Sequence, residues 1–495
     1  MSPRFAVAAD DATGPFVLGL DVGSGGSRVA LYDVSGREVG DRHHKVSHVF
    51  TTGDDGTSTI DADQVVDELH EAIGAVLDGF DQPVAAIAID TFASSLVAVG
   101  ADGRAITPCI TYADTRCRDQ VTQIREELDG PAVHDRTGAR LHSSYLAPRL
   151  RWLREEHSAI FSRAERFMAL GEYVAHRMLG TAALGTAAAA WTGLLDRRSG
   201  EYDAELLKAA GVEAAMLGRP RDPDDTVRVE GTELASRHPQ LNGAVWVPTV
   251  GDGLCANLGI GALGPDVWGI STATSGAIRR LVDQEVPSLP SGLWAYRVDA
   301  RRTLAGSAMS DCGRVLDWSR SRFCLPRDLS EIDVDGLLSA APSSATPLVV
   351  PFLSGERGTG WRDSARAVIA GTSASTDAPD LLRGALEGVA LSFLRIADQL
   401  RDAGGGPSRI VLSGGMTGQV PTWLHLLSDA LQEPIDHVAV SRSTMRGAAV
   451  LALEQAAPGR APAEAAVLTR VEPVAEHADY YRERLERFEA FADLA

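Results

Sequence analysis

A chain of 495 residues, 44% apolar and 23% charged, has the composition of a globular protein long enough to bury more than one core, and its length sets a prior of roughly two to three domains. The formal charge of −20 repels nucleic-acid backbones and anionic membrane surfaces, so an anionic ligand must be met locally, by backbone amides or a few arginines. The 5 cysteines (Cys109, Cys117, Cys255, Cys312, Cys324) are scattered and lack CxxC spacing, which fits neither a disulfide framework nor structural zinc and favours reduced, buried thiols.

The N-terminal segment MSPRFAVAADDATGP has no apolar run behind positive charge, and no stretch of about 18 apolar residues follows anywhere. Neither a signal peptide nor a membrane span is expected, and the default address is the cytoplasm. Residues 1–15 read as a tail. Residues 16–21 (FVLGLD), 28–34 (RVALYDV) and about 38–49 then read as three short strands joined by Gly-rich or Ser-Gly turns. Val65, Val66, Leu69, Ile73, Val76 and Leu77 recur at helical spacing in 62–78, and VAAIAID at 84–90 is a continuous apolar strand. The Ala-rich stretch 182–190 has helix propensity and, with the following WTGLLD, predicts an ordered, packed segment. Residues 221–245, rich in Asp, Pro, Arg and Glu, read as a surface connection, and VWVPTVGDG leads out of a first half that ends near 260.

The order of strands and helix recurs loosely beyond that point. Strand signals occupy 267–280, 293–299 and 302–307, with a helix around 311–320. PLVVPFL (347–353), a long helix at 379–402, the strand IVLSGG (410–415) and a helix from about 421 continue the alternation. The division is therefore 16–260 and 261–455, two related α/β halves, followed by an extension from 456 to 495. Its YYRERLERFEAF segment is equally a packed terminal helix or a homodimer contact. No repeat with a period of 20 to 50 residues is visible, which excludes a solenoid.

Four turns carry candidate chemistry. In DVGSGGSR (21–28), Gly23, Gly25 and Gly26 allow close backbone approach, so the amides around Ser24, Ser27 and Arg28 can converge on phosphate oxygens, while Asp21 can hold Mg²⁺ through water. A plain Gly-rich hairpin is the alternative, and a following strand rather than helix rules out a dinucleotide fingerprint. STATSGAIR (271–279) offers Thr272, Thr274, Ser275 and Gly276 at the corresponding place in the second half, or an ordinary β-turn. Asp252 of GDG is either a helix N-cap or a general base that takes a proton from an acceptor hydroxyl during phosphoryl transfer. Gly414 and Gly415 of LSGGMTGQVPTW either let a nucleotide lie flat against backbone or form a tight strand-to-helix turn.

The order of these motifs resembles that of the FGGY carbohydrate kinases, over about residues 16–455. TFASSLVAV (91–99), TYADTR (111–116), LHSSYLAPRLRWLRE (141–155), LGEY (170–173), WTGLLD (191–196), GDGLCANLGIGA (251–262), TSGAIR (274–279) and PFLSGERGTGW (351–361) look most like the gluconate kinase branch. The resemblance implies an α/β fold of duplicated ribonuclease H-like (actin-like ATPase) domains with an interdomain cleft. The first domain would bind the acceptor and the second the nucleotide. It implies ATP and Mg²⁺ as cofactors, Asp252 as catalytic base and Asp21 at the metal. The 21–28 and 271–276 turns would hold the phosphates, with Gly414 and Gly415 at the nucleotide. Thr91, Ser94, Ser95, Asp114 and Arg116 would meet a sugar or sugar acid such as D-gluconate, with Arg116, Arg149 and Arg151 as candidate partners for its carboxylate. Ala273 stands where the phosphate turn usually has Gly. Ala93 and Ser94 replace an aromatic and a His, Tyr112 replaces a Trp, and Gly358-Thr359 replace Ser-Pro. A pentulose or polyol kinase of the same family, and a nucleotide- or sugar-binding regulator without catalysis, are the rival readings.

Overall fold

The computed structural model describes residues 5–283, 286–323 and 334–495; Cys324 lies outside them. Two seven-stranded sheets form the frame. In chain order the first contains β1 (Ala6–Val7), β2 (Phe16–Gly23), β3 (Gly26–Tyr32), β4 (Glu38–Val46), β5 (Val84–Thr91), β6 (Val227–Arg228) and β7 (Val245–Gly251), with spatial order β1-β4-β3-β2-β5-β7-β6. The β2-β3-β4 meander is antiparallel, whereas β2, β5 and β7 run parallel. Strands β2 and β5 are buried along almost their whole length, which is why they read as unbroken apolar runs.

Helix α1 (Ala62–Leu77) covers this sheet. Asp61 caps it, accepting from the amides of Asp63 and Gln64, and the apolar positions expected at helical spacing are buried. The Ala-rich segment forms α2 (Thr186–Trp191), packed against β7 as expected. Residues 221–245 depart from the expected surface connection. Strand β6 adds an antiparallel edge to β7, and Val229, Leu234 and Leu241 are fully buried. The polar residues of this segment outnumber the apolar ones, so composition masks a seal on the sheet edge. The expected N-terminal tail likewise carries β1, paired with Glu38–Val39.

Helix α3 (Asp252–Gly259) leads to the second sheet, made of β8 (Val267–Thr272), β9 (Gly276–Val282), β10 (Trp294–Arg297), β11 (Thr303–Met309), β12 (Arg409–Ser413), β13 (Ile435–Val438) and β14 (Val467–Val471). Its order, β10-β11-β9-β8-β12-β13-β14, repeats the first sheet: an antiparallel β8-β9-β11 set beside parallel β8, β12 and β13, with an antiparallel edge strand. Helix α4 (Ala378–Asp402) starts in a capping box between Asp377 and Asp380 and buries its apolar face in the second core. The terminal helix Ala478–Ala492 packs on α4 through buried Tyr481, Arg484, Leu485 and Phe488.

Helix α5 (Ser443–Ala456) joins the halves. It belongs to the second by chain order, yet it packs on β2 and β5 of the first sheet and crosses α3, which touches both sheets. The crossing is backbone to backbone. A Cβ at Gly447 would sit 1.9 Å from the Cys255 carbonyl oxygen, and one at Gly259 would sit 1.8 Å from that of Ser443. Only glycine permits this approach.

Candidate active site between the two sheets

Three parallel strands of the first sheet end side by side. Asp21 of β2 lies opposite Asp90 of β5, and Thr91 lies opposite Gly251 of β7, so Asp21, Asp90 and Asp252 gather at the carboxyl ends of adjacent strands. Open α/β sheets place ligands at this edge. Asp21 is buried; its Oδ2 accepts hydrogen bonds from Arg28 Nη1 and from the Thr444 hydroxyl of α5, each at 2.7 Å. A residue of the second half thereby fixes a carboxylate of the first.

Asp90 is fully buried, and neither carboxyl oxygen has a donor. Burial, then the charges of Asp21 and Asp252, push it well above the usual carboxylate range. Asp252 opens α3 but does not cap it: the N-cap is Gly251 and no side chain supplies the cap bond. Its carboxyl is pushed up to about 6 by burial, with Arg279 opposing and Asp21 adding to the rise. The N-cap alternative is therefore not the one the fold uses.

The 21–28 hairpin turns through Ser24 and Gly25 between paired Gly23 and Gly26. Gly26 has φ +147°, and a Cβ there would lie 2.5 Å from the Val46 carbonyl, whereas nothing lies within 4 Å of one at Gly25. The hairpin thus has a packed back and an open front. Ser27 departs from its expected role as a phosphate contact, at least through its side chain. The hydroxyl points inward and donates to Glu68 at 2.7 Å, and His48 spans Glu68 at 2.8 Å and the Gly23 carbonyl at 2.9 Å. This network anchors the hairpin to α1.

In the second sheet Thr272 pairs with Gly276, leaving Ala273, Thr274 and Ser275 exposed at the tip. The Thr272 hydroxyl is fully buried and bonded to Thr417 at 3.0 Å. Ala273 is not among the residues with positive φ, so the alanine sits in this turn without backbone strain. Ser271 lies opposite Ser413, which sets Gly414 and Gly415 beside the hairpin. Gly414 has φ +147° and packs on the Thr272 carbonyl, while the space in front of Gly415 is open.

Next to Asp252, a small cavity is lined by Thr91, Ser94, Ser95, Trp191, Thr192 and Gly251. Both serines shape its wall: the Ser94 hydroxyl donates to the Trp191 carbonyl, and Ser95 Oγ accepts from the Leu170 amide at 2.9 Å. Trp191 stacks on Tyr296 of the second half with centroids 4.3 Å apart, closing one end. Asp114 and Arg116, expected at the acceptor, do not line this cavity. Asp114 accepts from the Ser58 amide at 2.9 Å and from Arg116 at 2.7 Å, and the Arg116 guanidinium lies 4.4 Å over Trp152. The TYADTR turn folds on itself.

Asp90, Thr444, Trp191, Arg279 and Arg357 are the residues that motif reading did not single out. Two had a local signal, a charge closing or interrupting an apolar strand (Asp90 and Arg279). Arg279 bonds Ser271 Oγ at 3.2 Å and is lowered to about 10 by burial, which leaves it cationic at neutral pH. The charges of Asp252 and, with the opposite sign, Arg357 reach Tyr112, whose hydroxyl is raised mainly by burial. Among the described residues there is no cluster of three or more His, Cys, Asp or Glu suited to a metal. The donor set at Asp21, oxygen only and few in number, matches the habits of Mg²⁺, which keeps water and phosphate ligands.

Twin sheets with hairpins at equivalent ends and carboxylates between them define a two-domain α/β protein of the actin-like ATPase fold. Residues 16–259 match the N-terminal domain, and 271–456 the C-terminal domain, of the FGGY family of carbohydrate kinases. The chain belongs to that family and is a sugar kinase. It is 24% identical over 453 residues to a gluconokinase of Bacillus subtilis (strain 168), covering 88% of this chain and 87% of that enzyme. It is 29% identical over 416 residues to a xylulose kinase of Streptomyces coelicolor, covering 82% and 81%. A gluconate kinase structure from Lactobacillus acidophilus superposes with a TM-score of 0.88 at 23% identity, covering 97% of this chain and 98% of that one. Among the described residues no helix is long and apolar enough to cross a membrane.

Proposed function

We propose that this kinase transfers the γ-phosphoryl group of ATP to the terminal hydroxyl of an open-chain sugar acid of the D-gluconate type. The observation that carries the phosphoryl transfer is Asp252, while the acid acceptor rests on the likeness to a gluconokinase. A carboxyl pushed up to about 6 stands between the 21–28 hairpin and the Thr91–Trp191 cavity, ionised at neutral pH yet basic enough to accept a proton. The acceptor lies against Asp252 beside the mouth of this small cavity and gives its hydroxyl proton to Asp252 as its oxygen attacks phosphorus. The amides of 23–28 and of the 272–276 turn hold the phosphates, and Gly414 and Gly415 present bare backbone to the nucleotide. Arg28 and Thr444 keep Asp21 oriented, and Asp21 is the residue that would hold Mg²⁺. The metal, when bound, supplies charge neutralisation at the phosphates. Positioning and charge stabilisation provide most of the rate in such transfers.

The gluconokinase of Bacillus subtilis supports the acid acceptor, whereas the Streptomyces xylulose kinase supports a pentulose. A coupled ADP-release assay with Mg-ATP against D-gluconate, D-xylulose, L-ribulose and glycerol decides between them. Response to gluconate alone is the expected result; response to a pentulose alone overturns the acceptor and keeps the mechanism.

A further inference from the structure

A sugar acid needs a cation, and of the first-half arginines that the sequence offers two are paired with carboxylates and the third is buried. Arg116 is tied to Asp114 and stacked on Trp152. Arg149, 1% exposed beneath the loop, donates to the Ser94 carbonyl and keeps Nε and Nη2 unpartnered, but it is sealed from solvent. Arg151 is paired with Glu127 at 2.7 and 2.8 Å and with Glu155 at 2.9 Å.

The cation beside the cavity comes from the second half. A Cβ at Gly253, the residue after Asp252, would lie 2.7 Å from the Trp191 ring and 3.5 Å from Arg279 Nε. Arg279 therefore flanks Asp252 on the side of Trp191, which lines the acceptor cavity. Its Nη1 donates to Ser271 Oγ at 3.2 Å, beside the phosphate hairpin, while its backbone lies further along β9. It pairs with Gly269, three residues past Gly276, about 10 Å along a strand that rises ~3.4 Å per residue. Its Nε is buried without a hydrogen-bond partner, and among the described residues no carboxylate stands within ion-pair distance of it. Arg357 adds a second positive charge felt at both Arg279 and Asp252. Two neighbouring cations, each with an orphaned Nε, form a place where an incoming carboxylate gains charge-assisted hydrogen bonds.

We propose that Arg279 binds the carboxylate of the acceptor and is the residue by which the enzyme prefers a sugar acid to the corresponding polyol. The inference rests on the sugar-acid reading above. Arg279 reaches the acceptor across the cleft, so the carboxylate draws the second domain onto a ligand seated in the first.

The test compares D-gluconate with D-glucitol, which keeps the carbon chain and replaces the carboxylate with a hydroxymethyl group. For wild type, Arg279→Gln and Arg279→Lys, kcat/KM is measured with each acceptor and binding of each is followed by calorimetry. ATP binding and the melting temperature report integrity. Arg279→Gln is expected to lower kcat/KM for gluconate by about 100-fold, chiefly through KM, the size typical of removing one partner from a buried charge pair. Because Arg279 also holds down the Asp252 carboxyl, glucitol should lose some activity too, but at least about tenfold less than gluconate, and Arg279→Lys should fall between. Should Arg279→Gln not fold, the same acceptor-specific loss in Arg279→Lys carries the test. Equal loss on both acceptors, or no loss on gluconate, overturns the proposal. If wild type ignores gluconate and phosphorylates a pentulose, the sugar-acid reading itself has failed, a result seen before any variant is made.

Discussion

Replacing Asp252 by Asn separates chemistry from stability in one protein. The carboxyl moves from an ordinary 3.8 to about 6 on folding, mainly by burial. A shift of about two units corresponds to roughly 3 kcal/mol at ~1.36 kcal/mol per unit. The sign follows from proton uptake. Between the two values the folded state holds a proton that the unfolded state has released, so the side chain costs stability progressively from pH 3.8 to 6 and costs the full amount above it. Asp252→Asn removes an ionised, partly buried group. Its unfolding free energy, from urea titrations monitored by circular dichroism, should exceed wild type at pH 8 by up to about 3 kcal/mol and match it near pH 4. Turnover should fall by a factor of about 10² to 10⁴, the usual contribution of a general base, while ATP binding stays within about 2-fold. In wild type, kcat/KM should drop about tenfold per pH unit below 6. A variant that retains turnover within tenfold, or that is less stable than wild type at pH 8, refutes the reasoning.

Asp90→Asn replaces a buried carboxyl held well above the usual range with a neutral isostere, so its kcat should stay within about 5-fold, whereas Asp90→Ala, which leaves Asp21 without its neighbour, should lose more; a greater than tenfold loss for the Asn variant would overturn this. Gly447→Ala drives a methyl group into the Cys255 carbonyl and should destabilise the protein by about 2 kcal/mol or more, read by denaturant unfolding, because both partners are backbone. Arg116→Ala should lower stability yet leave the KM for the acceptor within about 2-fold, since its partners are Asp114 and Trp152. A large change in acceptor KM would return Arg116 to the site.

Much of the fold was legible locally. Apolar runs at 16–21 and 84–90 and the helical spacing from Val65 to Leu77 announce β2, β5 and α1, because burial against one core face imposes its period on the sequence. The hairpins at 21–28 and 272–276 announce themselves for a related reason: tight turns admit few residue types. Asp252, ringed by glycines, stood out in the same way. The segment 221–245 did not, since a few buried side chains suffice to seal a sheet edge and are outvoted by polar neighbours. What tertiary structure alone decided was partnership. Asp114 and Arg116 look like ligand residues in a turn, but whether such a pair meets a ligand or each other depends on where the turn lies relative to the cavity. Asp90 is an ordinary strand residue until the β2–β5 register sets it opposite Asp21 and strips it of water. Arg279, Thr444 and Trp191 are far apart in sequence and meet around the two aspartates because α3 and α5 hold the halves together. Local sequence fixes the period of burial and the conformations a turn can take. The charge state and company of a buried group depend on long-range packing, which no short stretch encodes by itself.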